Sequence, residues 1–239
     1  MKENLIRRMP DKALLGLSSY FARVYNYMAG GLLVSAMSGY FVTKEPFLSL
    51  FYNQTAQGGY ALSLLGLISI FAPLILIFMI QSSLNHMNIA KAQVLFWVFS
   101  VLMGLSLSNV FLAFTSTSIF QAFLTTACVF FGMSLYGYTT KRFLMGMGQF
   151  LMMGLMGVII AMLVNLFVGS PALGFGISII AVFIFVLLTA YDTQKLKLMY
   201  SVANTPEEQQ AVAISGALSL YLDFINLFQL LISFIGERR

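Results

Sequence analysis

The sequence predicts an all-α membrane protein of seven transmembrane helices, with the last helix central and wrapped by the first six. Three observations predict it. Of 239 residues only 9% are charged and 59% are hydrophobic. An ordinary soluble domain is about 25% charged, so this chain cannot furnish a water-facing surface and its solvent must be lipid. Seven segments reach the length of about 20 mostly apolar residues that a spanning helix needs. The seventh carries a polar stripe, which must face protein or water and never lipid.

Residues 1–20 read as a retained cytoplasmic tail ahead of a single seven-helix domain, 21–239. The basic residues Lys2, Arg7, Arg8 and Lys12 precede an apolar span too long for a signal-peptide core, and no small-residue cleavage site follows. The spans are placed at 22–43, 59–80, 93–114, 117–138, 146–168, 172–195 and 212–235. Connections such as Thr115-Ser116-Thr117 and Gly169-Ser170-Pro171 are short and turn-forming. Gly30 with Gly31, Gly146 with Gly148, Gly154 with Gly157 and Gly174 with Gly176 permit close helix approach. The 15 Met and 23 Phe supply packing and lipid-facing bulk rather than a sulfur-ligand metal site. Cys128, the single cysteine, excludes an intramolecular disulfide and is expected to be a small buried residue. No internal repeat relates the first three spans to the next three, so an inverted-repeat transporter gains no support.

The net charge of +5 does not indicate nucleic acid, because the basic residues fall between apolar runs and report topology instead. One side has Lys2, Arg7, Arg8, Lys12, Arg23, Lys91, Lys141, Arg142, Lys195 and Lys197; the other has Lys44, Arg238 and Arg239. Positive charge collects on the cytoplasmic side. The N-terminus is therefore expected inside and the C-terminus outside.

Two aspartates stand out against this background. A charge in hydrocarbon costs roughly 2.5–3.5 kcal/mol on insertion scales and marks function by default. Asp192 closes the sixth span in Leu188-Thr189-Ala190-Tyr191-Asp192-Thr193-Gln194-Lys195-Leu196-Lys197. Asp223 lies in the heart of the seventh, Leu220-Tyr221-Leu222-Asp223-Phe224-Ile225-Asn226-Leu227-Phe228. A third polar run, Ser134-Leu135-Tyr136-Gly137-Tyr138-Thr139-Thr140-Lys141-Arg142, closes the fourth. Ser219, Asp223 and Asn226 share one helical face, and Thr189 lies one turn from Asp192. Whether the carboxylates meet is left open by spacing. Equal depth needs a turn centred near residue 207, but Thr205-Pro206 reads as an N-cap and first helical residue. An early start sets Asp223 about ten ångströms deeper at 1.5 Å per residue, unless a break near Gly216 closes the gap. If the two meet, like charges in low dielectric would share one proton. Deprotonation would then add repulsion or create a site for a hard cation. The alternative for Asp192 is an ion pair with Lys195; for Asp223 it is a structural hydrogen bond.

The three motifs, in this order and spacing, resemble the Bax inhibitor-1 (transmembrane BAX inhibitor motif) family, in its bacterial inner-membrane branch. The resemblance covers the chain from about residue 20 onward. It implies seven helices with the last wrapped by the others, and a pH sensor formed by Asp192 and Asp223 that governs a calcium leak. Thr189, Ser219, Asn226, Tyr191 and Tyr221 would form its supporting polar face. Calcium would be the permeant ion, held transiently by Asp192 and Asp223, with no cofactor. The partners would be the lipid bilayer, calcium ions and other membrane proteins. Two departures bear on gating: Phe143 stands where members often have Asp after the Lys-Arg pair, and the second span lacks the arginine latch of some relatives.

An enzymatic reading fails on sequence. Intramembrane aspartyl proteases have their second aspartate in Gly-x-Gly-Asp, whereas this chain has Tyr221-Leu222-Asp223, and its Pro-Ala-Leu at 171–173 precedes both aspartates. The only histidine, His86, falls in an inside loop as a solvated polar residue. The non-enzymatic rival is a non-transporting membrane modulator that binds a protease or another membrane complex.

Overall fold

The computed structural model describes residues 11–54 and 59–239. The first ten residues, including Lys2, Arg7 and Arg8 of the expected tail, lie outside them. The chain runs α1 (Asp11–Val42), α2 (Phe47–Phe51), β1 (Tyr52–Gln54), β2 (Tyr60–Leu62), α3 (Leu64–Asn85), α4 (Ile89–Ser106), α5 (Ser108–Ala113) and α6 (Ser116–Thr139). A 3-10 turn (Leu144–Met147) then leads into α7 (Gly148–Val168), α8 (Pro171–Val202) and α9 (Pro206–Ile235). Among the described residues, six helical segments are long and apolar enough to cross a membrane: α3, α4 with α5, α6, the 3-10 turn with α7, α8 and α9. The protein is an all-α, multi-pass membrane protein.

Local chemistry sets the helix ends. Ser63 accepts from the Gly66 N–H at 3.2 Å, and Asn88 from the Lys91 N–H at 3.1 Å. These side chains satisfy donors that a helix start leaves unpaired. Gly169 ends α7 in the left-handed region at φ 66, which costs glycine nothing. Asn165 and Ser170 then bridge to α8. Thr205 accepts from Glu208 N–H while Glu208 reaches back to the Asn204 N–H at 2.7 Å, a reciprocal capping box. Helix α9 therefore starts at Pro206, as Thr205-Pro206 predicts, and runs without a break past Gly216.

Two compact units divide the chain. The first contains the N-terminal part through Ser19, Phe120–Val202 and Leu222–Gly236. Its apolar cluster joins Leu151 and Val158 of α7, Ile184 and Leu188 of α8, and Leu227 and Leu230 of α9. The second unit contains Tyr20–Ile119, Ala203–Tyr221 and Glu237–Arg239. There Ser35 on α1 donates to the Ser100 carbonyl at 2.6 Å and stands 2.6 Å from the Tyr221 phenol oxygen. A hydroxyl has one hydrogen, so the phenol donates to Ser35. Tyr221 is also edge-on to Phe96 and Phe99. The C-terminal residues pair with the end of the third span, through Thr115 N–H to Glu237 O at 3.1 Å.

Three expectations need correction. The second span is α3, not 59–80, because Tyr52–Gln54 and Tyr60–Leu62 form an antiparallel hairpin first. Burial pushes the Tyr52 phenol above its ordinary pKa, against the opposing effect of its 2.9 Å bond to Ser108. Residues 11–20 are not a separate tail but the first turns of α1. Cys128 is exposed: it lies across α6 from the buried Ala122, Thr126 and Phe130. The glycine pairs divide unequally. A Cβ on Gly148 would stand 2.6 Å from the Tyr191 ring, whereas Gly146, Gly157 and Gly176 have open space.

Candidate functional site

Asp192 and Asp223 both fall in the first unit. Asp223 is 6% exposed, and its Oδ2 is enclosed with no hydrogen-bond partner. The charges that act on it are those of Asp192 and Lys195. The two carboxylates are thus within electrostatic range of one another. The Lys195 ammonium stands 5.9 Å from the Tyr191 ring centroid, on an exposed turn of α8. Below Asp223, Phe224 is sandwiched edge-on between Phe123 and Phe130 of α6, each at 5.5 Å. A buried polar atom without a partner loses the water it had and gains nothing in return. Such an atom in a membrane span calls for a proton or a cation.

The expected supporting residues behave differently. Thr189 donates to the Phe185 carbonyl at 2.9 Å and Asn226 to the Leu222 carbonyl at 2.8 Å, so each is satisfied within its own helix. Ser219 is half-buried. Tyr191 is half-buried on α8, over Gly148. Tyr221 is fully buried, with Ser35, in the second unit. Carboxylate oxygens are the hard donors that calcium takes, but two fall short of the about six to eight ligands of a resident site.

The structure also docks the first motif on the second. Gly137 packs its bare Cα against the Ala190 carbonyl. Ser134 and Thr193 hydroxyls meet at 3.0 Å. Lys197 donates to the Tyr138 carbonyl at 3.0 Å and lies 5.0 Å from its ring centroid. Sequence reasoning missed Gln194, which is 5% exposed. Its Nε2 donates to the Arg142 carbonyl at 2.7 Å, and its Oε1 accepts from Leu144 N–H at 2.7 Å. The signal was present: an amide next to an apolar span is expensive unless both its ends are bonded. Gln194→Ala removes both bonds to the part-buried backbone at Arg142 and Leu144, and is expected to cost about 1–2 kcal/mol. Thermal unfolding in detergent checks this as a lowered Tm; an unchanged Tm contradicts it.

The family described as "Inhibitor of apoptosis-promoting Bax1" matches residues 17–239. An uncharacterized protein of Rickettsia prowazekii is 45% identical over 225 residues, covering 94% of this chain and 92% of that one. "Inner membrane protein YbhL" of Escherichia coli K12 is 41% identical over 228 residues, 94% of each chain. An uncharacterized membrane protein of Streptococcus pyogenes serotype M1 is 36% identical over 240 residues, 99% of each. With a family match across almost its whole length, residues 17–239, the chain belongs to the Bax inhibitor-1 family.

Proposed function

We propose that the protein is a pH-sensitive calcium leak of the bacterial inner membrane, gated by protonation of the Asp192–Asp223 pair, and not an enzyme. The observation that carries this reading is the enclosed, unpartnered Asp223 Oδ2 within range of the Asp192 charge. A proton satisfies that oxygen in the closed state. On deprotonation the pair repels and presents two hard carboxylates to a divalent cation. Flux therefore rises with pH. Helix α1 supplies the seventh span; its Tyr, Asn, Gly and Ser dilute an otherwise apolar segment. With the positive-inside bias, seven crossings put the N-terminus in the cytoplasm and the C-terminus outside. Helix α9 is the central one. Half of its spanning window is buried, against 11–39% in the other five segments.

Purified protein in liposomes loaded with a calcium indicator tests the reading. Calcium entry that increases with pH supports it. No entry at any pH by folded protein overturns it and leaves a non-transporting modulator that binds a protease or other membrane complex.

A further inference from the structure

In the first unit a groove of about 340 Å³ opens where α6, the 3-10 turn and α8 meet. Its walls include Tyr136, Arg142, Phe143, Met147, Leu187 and Tyr191. Phe143 is 58% exposed and Tyr136 43%. In a membrane protein such exposed apolar and aromatic surface faces lipid rather than water.

The wall is built, not a floppy loop. Gln194 holds the residue before Phe143 by its carbonyl and the residue after it by its N–H. That clamp fixes the backbone on both sides of Phe143, and Lys141 precedes the groove-lining Arg142 in the chain. Apolar walls that include one guanidinium, with a second exposed cation next to it in the chain, complement one amphiphile: an acyl chain joined to a phosphate. We infer that this groove binds an anionic phospholipid, with one tail between Tyr136, Leu187 and Met147 and the phosphate on Arg142 and Lys141. The guanidinium fork suits the phosphate oxygens bidentately, and the adjacent ammonium adds charge. The bound lipid covers Tyr191, the neighbour of Asp192, without entering the carboxylate pair. This site does not depend on the calcium reading.

Each basic residue at an anionic membrane surface contributes about 1 kcal/mol, or about fivefold in affinity. The test is native mass spectrometry of the full chain released from detergent. It uses dioleoyl phosphatidylglycerol, dioleoyl phosphatidylcholine and inorganic phosphate in parallel. Phosphatidylglycerol is expected to stay bound in preference to phosphatidylcholine. The double variant Lys141→Gln, Arg142→Gln lowers that preference about 25-fold. Met147→Trp, which fills the groove and keeps the charges, lowers retention of both lipids. Equal retention of the two lipids by the wild-type chain overturns the site. So does a preference that survives the double variant, or retention untouched by Met147→Trp. Retention of inorganic phosphate as strong as that of phosphatidylglycerol shows an anion site without a tail, and also overturns it.

Discussion

Asp223→Asn is expected to flatten the pH profile of calcium entry and lower it by about tenfold or more at the pH of maximal wild-type flux. A carboxylate and a cation about 4 Å apart interact by about 4 kcal/mol per unit charge at an effective dielectric near 20. Losing a third of that is worth about a factor of ten in rate. Asparagine keeps the shape but neither titrates nor carries charge. The same change is not expected to destabilise the fold. Asp223 Oδ2 has no partner to lose, and removing a buried, unpaired carboxylate relieves a cost. Tm at neutral pH should therefore equal or exceed that of the wild type. Function and stability then move in opposite directions, as at sites where a fold tolerates local strain. Liposome flux and thermal unfolding on one preparation check both halves. A variant with wild-type flux contradicts the gate; a large fall in Tm contradicts the unpaired carboxylate.

The second large effect is structural. Tyr221→Ala is expected to cost about 3–5 kcal/mol, the range for deleting a buried aromatic ring. Tyr221→Phe should cost only about 1 kcal/mol, one hydrogen bond. The reason is that Tyr221 is completely buried and most of its worth is ring packing, edge-on to Phe96 and Phe99 at 6.4 and 5.3 Å. Ser35 keeps the Ser100 carbonyl when the phenol is gone. Denaturant titration of the two variants in micelles checks the ordering. Equal costs would mean that the hydroxyl, not the ring, anchors this point of the second unit.

Much of this was legible in the sequence because a membrane imposes one period and one length on its helices. The runs at 117–138 and 146–168 fall within α6 and α7 with its 3-10 turn almost to the residue, and Thr205-Pro206 announced the start of α9. The hairpin was not legible. Tyr60-Ala61-Leu62 carries no charge and runs almost directly into α3, so hydropathy merged the strand with that helix. Leu107, where α4 gives way to α5, was hidden similarly, since the bond from Ser108 Oγ to Leu105 O that marks the turn is local. Cys128 shows a deeper limit. In lipid, an apolar residue is at ease facing either way, so type alone does not decide burial. At the site, Asp192 and Asp223 were visible as charge where charge is costly. Thr189 and Asn226 share a helical face with the carboxylates, but a helix offers them its own carbonyls first. Gln194 escaped because its partners are backbone atoms 50 and 52 residues away.

The central claim is that Asp192 and Asp223 titrate as one pair. Infrared difference spectroscopy of the carboxyl stretch, followed across pH in the wild type, Asp192→Asn and Asp223→Asn, tests it most directly. The account predicts that removing Asp192 moves the titration of the Asp223 carboxyl by more than about one pH unit, the mark of interacting sites. An Asp223 band that titrates identically with and without Asp192 would contradict it.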